Sequence, residues 1–462
     1  MQAVLLIDFG STYTKVIILD LEREELVACA QAGTTIASNI MEGLNKALRQ
    51  IPEPVGGWNF LRKLACSSAA GGLKMIASGL VKELTAEAAR RAALGAGARV
   101  LEVFSYELID QDLAKIAAAQ PDIILLAGGT DGGNSEIILK NAATLSRLPQ
   151  SLPIVVAGNK VASAKAAEIL KQQHNPVVIA DNVMPELNVL AVDSARRAIR
   201  DVFLDNIVQA KGLDKAEEFL ERVLMPTPAA VLAAGELLAR GYGEEKGLGD
   251  LLIIDVGGAT TDVHSMAQGD PSKPGVVLKG LPEPYAKRTV EGDLGMRYSA
   301  QALAEAAGGR LGKYLGWTQD QVNKNLEVCA QDPWRVSRSL EEQHFDIAMG
   351  RMAVEIALDR HVGTLEVVYT PFGATYVQHG KDLTQLPTVI GTGGILVHHP
   401  KPKEIIEGVL FNPEEPMLLK PQKPQLFIDK EYILAAMGLL KEFAPLTALR
   451  MLKKYVGQLP TT

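Results

Sequence analysis

Cysteine is scarce in this chain of 462 residues. The three that occur, Cys29, Cys66 and Cys329, lie far apart and form no C-x-x-C pair. That excludes a disulfide framework and a zinc site built on cysteine pairs, and the thiols read as incidental ones in a reducing cytoplasm. Aromatic residues make up only 5%, so Ala, Leu, Val and Ile must fill the core. Such a core suits layers of helix on sheet better than a β sandwich. Positive charge is not in excess either. The formal net charge is -7, which argues against a nucleic-acid surface. No apolar run approaches the ~18 residues of a membrane span. The N-terminus reaches Asp8 after a short apolar segment without a basic residue, unlike a secretory signal. H-E-x-x-H, G-x-x-x-x-G-K-[ST] and G-x-S-x-G are all missing. A zincin-type metal centre, a P-loop and a nucleophile elbow are thereby excluded.

What is present is apolar periodicity with glycine turns. The chain is too long for one ordinary core, and two or three domains are expected. The pattern predicts a three-strand meander at the start, over AVLLIDFG, TKVIILDL and ELVACAQAG. A helix over NIMEGLNKALRQI and a strand over RKLACSSAAGG follow, and KMIASGLVKELTAEAARRAALGAG reads as helical. From about Arg99 to Asp181 strands alternate with helices, the signature of βαβ units and a parallel sheet. Asn188 to Arg240 reads as nearly all helical, broken at MPTPAA. After a glycine-rich linker the meander recurs as DLLIIDVGG, TTDVHSMAQ and GVVLKG. The expected divisions are 1–98, an inserted βα subdomain at 99–184, a helical segment and linker at 185–246, a second domain at 247–400, and a Pro-rich loop with C-terminal helices at 401–462.

The internal repeat matters most. Each half opens on a strand that ends in Asp-x-Gly and runs into hydroxyl residues and a second strand. Two similar halves predict a cleft between them. Glycine lets backbone N–H groups converge without Cβ interference, and such a nest binds oxyanions. DFGSTYTK supplies Gly10, Ser11, Thr12 and Thr14, with Lys15 as the cation. DVGGATTD supplies Gly257, Gly258, Ala259, Thr260 and Thr261. Two nests suit a polyphosphate. A carboxylate beside phosphate is repulsive unless a cation intervenes. Asp8 and Asp255 are therefore the candidate catalytic acids and the candidate Mg²⁺ partners, acting through water. Either could also orient an attacking water. A third turn, IGTGGI, offers Gly391, Thr392, Gly393 and Gly394 as a seat for adenine and ribose.

These strings resemble, in order, the first phosphate, second phosphate and adenosine motifs of the acetate kinase, Hsp70 and actin ATPase superfamily. The resemblance spans nearly the whole chain. It implies an α/β fold with two RNase H-like domains hinged around ATP and a βαβ-type subdomain inserted in the first half. Within that superfamily the strings LLIDFGSTYTK, CSSAAGGLKM, LLAGGTDGGN and TVEGDLGMR make the chain similar to the glutamate mutase accessory family, GlmL or MutL. That similarity implies ATP and Mg²⁺ as cofactors and the subunits of an adenosylcobalamin-dependent amino-acid mutase as partners. It further implies a slow ATPase serving reactivation, in which damaged cobalamin is released. A cytoplasmic location is expected, with no nucleic-acid or membrane partner, and the composition is compatible with a homo-oligomer. Two other functions share these motifs: a small-molecule kinase, and a hydantoinase- or oxoprolinase-like hydrolase that also carries DVGG-T-T-D. The kinase needs a polar cluster that recognises its substrate, and no such cluster stands out in the sequence.

Other polar positions have both a functional and a structural reading. Asp131 and Asn134 in LLAGGTDGGN belong to an anion site at a helix start or to a tight βα connection. Ser67, Ser68, Gly71, Gly72 and Lys74 follow a strand and are placed near the cleft. In EGDLGMR, Arg297 or Glu291 could touch the nucleoside, and Asp293 could cap a helix. His264 sits in a string like the cobalamin-ligating Asp-x-His-x-x-Gly, but Ala267 replaces the glycine, so it reads as a strand residue. His398 and His399 beside PKPK read as a solvated basic loop.

Overall fold

Val4, Leu5 and Leu6 leave at most 1% of their surface exposed, and burying each such side chain contributes about 1.5–3 kcal/mol. They lie in β1 (Ala3–Phe9), the centre of the first sheet of a computed structural model. The structure describes residues 2–35, 39–52, 57–68, 73–204, 219–220, 222–332, 337, 339–371 and 373–460. The chain divides into two units. The first comprises Met1–Leu232, Gly280–Pro282 and Ala435–Phe443. The second comprises Ala233–Lys279, Glu283–Leu434 and Ala444–Thr462.

In the first unit, β2 (Tyr13–Asp20) returns antiparallel to β1, and β3 (Glu25–Gly33) antiparallel to β2. On the other side of β1, β4 (Phe60–Ser67) runs parallel to it. The chain then builds a second sheet from β5 (Leu73–Gly79), β6 (Ala98–Ser105), β7 (Ile123–Leu126), β8 (Ile154–Val156) and β9 (Val177–Ile179). All its pairs are parallel, in the order β6-β5-β7-β8-β9. β10 (Arg222–Pro226) comes back to pair parallel with β4. The first sheet is therefore β10-β4-β1-β2-β3.

The second unit begins with a small hairpin, β11 (Gly241–Tyr242) and β12 (Glu245–Lys246). Its main strands are β13 (Leu251–Val256), β14 (Thr261–Met266) and, after β15 (Val276–Lys279), β16 (Ala286–Glu291). β17 (Thr364–Thr370) and β18 (Gly373–His379) precede β19 (Thr388–Thr392), β20 (Gln425–Asp429) and β21 (Val456–Gln458). The six-stranded sheet runs β16-β14-β13-β19-β20-β21. Its first three strands in sequence are antiparallel, and β19 and β20 join parallel. Both units thus share one pattern, third-second-first-fourth-fifth, with the same strand directions. This is the RNase H-like arrangement, present twice.

Three expectations are corrected. KMIASG is not helical: it belongs to β5, buried along nearly its whole length. A strand covered on both faces loses the period-2 alternation, and its composition then reads equally as helix. The parallel sheet consequently starts before Arg99. The stretch 188–240 is not nearly all helical, because β10 interrupts it; residues 205–218 lie outside the described residues. GVVLKG is not the third strand of the second meander. β15 is mostly exposed and pairs with β18, while the more buried β16 pairs with β14.

Helix starts follow capping chemistry. Asn39 accepts the Met41 N–H ahead of the helix Ile40–Leu48. Thr318 with Gln321, and Ser339 with Glu342, form capping boxes for Gln319–Gln331 and Leu340–His361. No helix among the described residues is long and apolar enough to cross a membrane.

Candidate functional site

Asp8 stands near the end of β1, opposite Lys15 on β2 and beside Cys66 on β4. Its Oδ1 accepts the Thr227 hydroxyl at 2.6 Å and the Cys66 thiol at 3.6 Å. Lys15 Nζ lies 3.9 Å from Oδ2. Burial, reinforced by the adjacent Asp8 charge, pushes the Cys66 thiol well above its ordinary value, so it remains a proton donor. Cys66 is therefore no incidental thiol. Sequence reasoning missed both it and Thr227. The signal for Thr227 was the Thr-Pro pair, since proline is favoured in the first turn of a helix.

The turn after β1 closes through the Gly10 N–H, which donates to Tyr13 O at 3.0 Å. A Cβ on Gly10 would lie 2.6 Å from that oxygen. Thr34 Oγ1 donates to Gly10 O at 2.9 Å and lies 3.1 Å from Thr14 Oγ1. The buried Thr14 hydroxyl is thus committed inward. Ser11 is exposed, and among the described residues no acceptor meets the backbone N–H of Ser11 or Thr12.

The β13–β14 hairpin repeats this geometry. Gly257 N–H donates to Thr260 O at 2.9 Å. Asp255 takes the place of Asp8, with Asp262 opposite and Thr392 alongside. Asp262 therefore stands where the first hairpin has Lys15. Its charge is matched by Arg288, whose Nε and Nη2 lie 2.8 and 2.6 Å from Oδ1. The Thr260 hydroxyl donates to Asp262 Oδ2 at 3.2 Å, and that of Thr261 to Leu294 O at 2.6 Å. Residues 295–299 fold over the turn. Met296 N–H reaches Gly257 O at 3.0 Å, Arg297 and Tyr298 N–H reach Gly258 O at 2.8 and 2.9 Å, and Ser299 Oγ donates to Ala259 O at 2.9 Å. The carbonyls are thus taken. The N–H groups of Gly258, Ala259 and Thr260 meet no acceptor among the described residues. A cluster of unengaged amides is what an oxyanion requires.

The third glycine turn divides by role. Gly391 is inside β19, and a Cβ there would come within 3.0 Å of Ile406, Ile428 and Leu396, so its smallness serves core packing. Thr392 donates to Asp429 at 3.3 Å, and Asp429 also accepts the Ile433 and Leu434 N–H groups. Gly393 has φ +94°, and a Cβ there would lie 2.3 Å from Val256 O and 2.8 Å from Asp255 Oδ1. This position, next to Thr392, brings the turn's backbone against the acid. Gly394, exposed, opens the short helix Gly394–His398.

The remaining candidates are mostly tied up. Asn134 Oδ1 accepts the Ile137 N–H, and Asp131 accepts from Lys160 N–H and Asn182 Nδ2. LLAGGTDGGN is thus a βα connection whose Asp131 and Asn134 are bonded to protein groups. Ser67 is buried beside the first turn, donating to Phe9 O at 3.4 Å; Gly71 and Gly72 lie outside the described residues, and Lys74 lies within β5. Asp293 and Glu291 both pair with Arg360, so Asp293 caps no helix. Arg297 grips Asp346 through two bonds of 3.0 and 2.9 Å, at the wall of a cavity also lined by Asn325, Cys329, Ser337 and Phe345. His264 is buried within β14. The HHPKPK segment is not simply a solvated loop, because Pro402 opens a short helix that buries Ile405 and Ile406. Among the described residues no group of three His, Cys, Asp or Glu side chains could hold a metal ion.

Solved structures similar to this chain include a xylulose kinase from Bifidobacterium adolescentis, 12% identical, covering 99% of this chain and 94% of that one at a TM-score of 0.29. Another is a Plasmodium falciparum glycerol kinase with ADP, 10% identical, covering 99% and 93% at a TM-score of 0.36. Protein MutL of Clostridium tetanomorphum is 54% identical over 459 residues, covering 99% of each chain. The family model for the MutL protein matches residues 4–456, a span that includes both Asp-x-Gly hairpins and the third glycine turn, and the chain belongs to the MutL family.

Proposed function

We propose that this protein binds and slowly hydrolyses ATP, and that it uses the nucleotide to reactivate an adenosylcobalamin-dependent amino-acid mutase of the glutamate mutase type. The observation that carries the reading is the pair of equivalent Asp-x-Gly hairpins, each with backbone N–H groups unengaged by protein and an acid at the strand end. Ser11, Thr12, Gly258, Ala259 and Thr260 would contact phosphate oxygens. Asp8 and Asp255 supply hard oxygen donors of the kind that suit Mg²⁺. With no three-residue ligand cluster among the described residues, such an ion would be held largely by water and phosphate. When bound, it would offset the charge of phosphate and carboxylate. Lys15, beside Asp8 Oδ2, would assist in the same way.

Family membership supports the mutase as partner. The role in cobalamin exchange is tested directly. A mutase inactivated to its hydroxocobalamin form is mixed with this protein, ATP, Mg²⁺ and fresh adenosylcobalamin. Activity should return only with ATP, and the Asp255→Ala variant should not restore it. Equal recovery without the protein overturns the reading. Phosphorylation of a metabolite at enzymatic rates, without mutase binding, replaces it with the kinase.

A further inference from the structure

We infer that Thr227 is a positioning residue for Asp8: with Cys66 it occupies one carboxylate oxygen, Oδ1, and leaves Oδ2 as the working atom. The inference rests on the ATPase reading above and assigns the two acids different standing within it.

The asymmetry is visible in the contacts. Oδ1 accepts two hydrogen bonds, from Thr227 Oγ1 at 2.6 Å and from Cys66 Sγ at 3.6 Å. Oδ2 faces Lys15 Nζ at 3.9 Å, longer than a hydrogen bond. A carboxylate held at one oxygen cannot rotate about its terminal torsion, which is otherwise broad and two-fold. Oδ2 therefore stays on the side of Lys15. Cys66 adds a second, longer contact to the same oxygen, so both contacts fall on Oδ1.

Thr227 is itself held. It opens the helix Thr227–Arg240, and Pro228 fixes the backbone of the first turn. Two glycines clamp that turn. A Cβ on Gly97, at φ +89°, would lie 2.9 Å from Pro226 Cβ and 3.0 Å from Ala229 N. A Cβ on Gly438 would lie 2.0 Å from Ala230 O. The absence of a Cβ at both positions lets neighbouring backbone pack closely against the start of this helix. The helix dipole also favours a negative group at this end. Asp255 has a different environment: its neighbour in the Cys66 position is Thr392, whose hydroxyl is turned to Asp429.

The test compares Thr227→Val, Thr227→Ser and Cys66→Ala in the full-length protein. Calorimetry measures ADP and ATP binding with Mg²⁺, and steady-state assays measure kcat, KM and the Mg²⁺ concentration for half-maximal rate. Loss of an outer group that orients a metal-linked carboxylate costs about 10–100-fold. Thr227→Val should lower kcat by that factor and raise the Mg²⁺ requirement, with ADP affinity changed by less than about threefold. Thr227→Ser should restore most of kcat, because it keeps the donor. Cys66→Ala should show a smaller loss of the same kind, and it serves alone should Thr227→Val fail to fold. If the parent hydrolyses ATP and both the Val and Ala variants match it, or if Ser behaves as Val does, the positioning role is wrong while the ATPase reading stands. If the parent neither binds nor hydrolyses ATP, that reading falls and takes the role with it.

Discussion

Arg288 holds Asp262 in the register position that Lys15 occupies in the first hairpin, with its Nη2 2.6 Å from Asp262 Oδ1. One repeat thus places a cation opposite its acid, and the other places a neutralised carboxylate. Both partners are more than nine-tenths buried. Removing only the cation leaves a buried charge, which costs about 3–5 kcal/mol. Arg288→Met should lower the urea midpoint accordingly, and adding Asp262→Asn should recover much of the loss. Equal stability of Arg288→Met and the parent would show that water already satisfies Asp262.

Gly295 and Gly393 hold the second hairpin by close approach. A Cβ on Gly295 would lie 2.3 Å from the Ala259 carbonyl carbon, and one on Gly393 2.3 Å from Val256 O. Alanine at either position must displace the turn that carries the unengaged N–H groups. Each variant should weaken Mg·ATP binding at least tenfold by calorimetry. Gly309→Ala, where a Cβ meets open space, is the control and should bind as the parent does. Parent-like affinity in both displaced variants would remove the hairpin from the site.

Asp8 and Asp255 should matter more for turnover than for product binding. Asn at either position keeps the shape and removes the charge. Hydrolysis should fall by about 10²–10⁴-fold, while ADP affinity changes far less. Single-turnover assays beside ADP titrations separate the two effects. Equal losses in both would make the acids simple binding groups.

Acid should destabilise the protein through two buried histidines. Burial pushes His264 down to about 3, and burial with the nearby Lys287 and Lys381 charges pushes His361 well below its ordinary value. Both stay neutral in the fold, whereas an unfolded histidine takes up a proton below about 6.5. The unfolded chain then binds more protons, so stability is complete above about 6.5 and is lost as pH falls toward about 3. The slope approaches about 1.4 kcal/mol per pH unit for each histidine. Urea melts at several pH values should show it, and His264→Asn should flatten it. An unchanged slope in that variant would assign the effect elsewhere.

Much of the fold is legible in the residues because its signals are local. The apolar runs that stop at Asp8 and Asp255 mark strands that end at a turn. The Gly-hydroxyl strings mark hairpins, and their recurrence marks the duplicated lobe. Two elements are not legible in the residues, for different reasons. β5 shows no alternation because both its faces are covered, so the chain there carries no period to read. β15 reads as the third strand of its meander, yet β16 takes that place, because pairing partners are chosen by burial across the sheet, not by order along the chain.

The two hairpins, their acids and the glycines that allow backbone N–H groups to gather are written in the residues, since a tight turn depends on a few consecutive positions. The tertiary structure alone decided which of those groups remain available. It turned the hydroxyls of Thr14, Thr260 and Thr261 inward, enlisted Gly391 for packing, and set Cys66 and Thr227 on Asp8. Thr227 lies 219 positions from Asp8 in the chain. No periodicity or spacing reports such a contact, because it exists only once the parallel pairing of β4 with β1, and of β10 with β4, has brought the start of a distant helix to the end of the first strand.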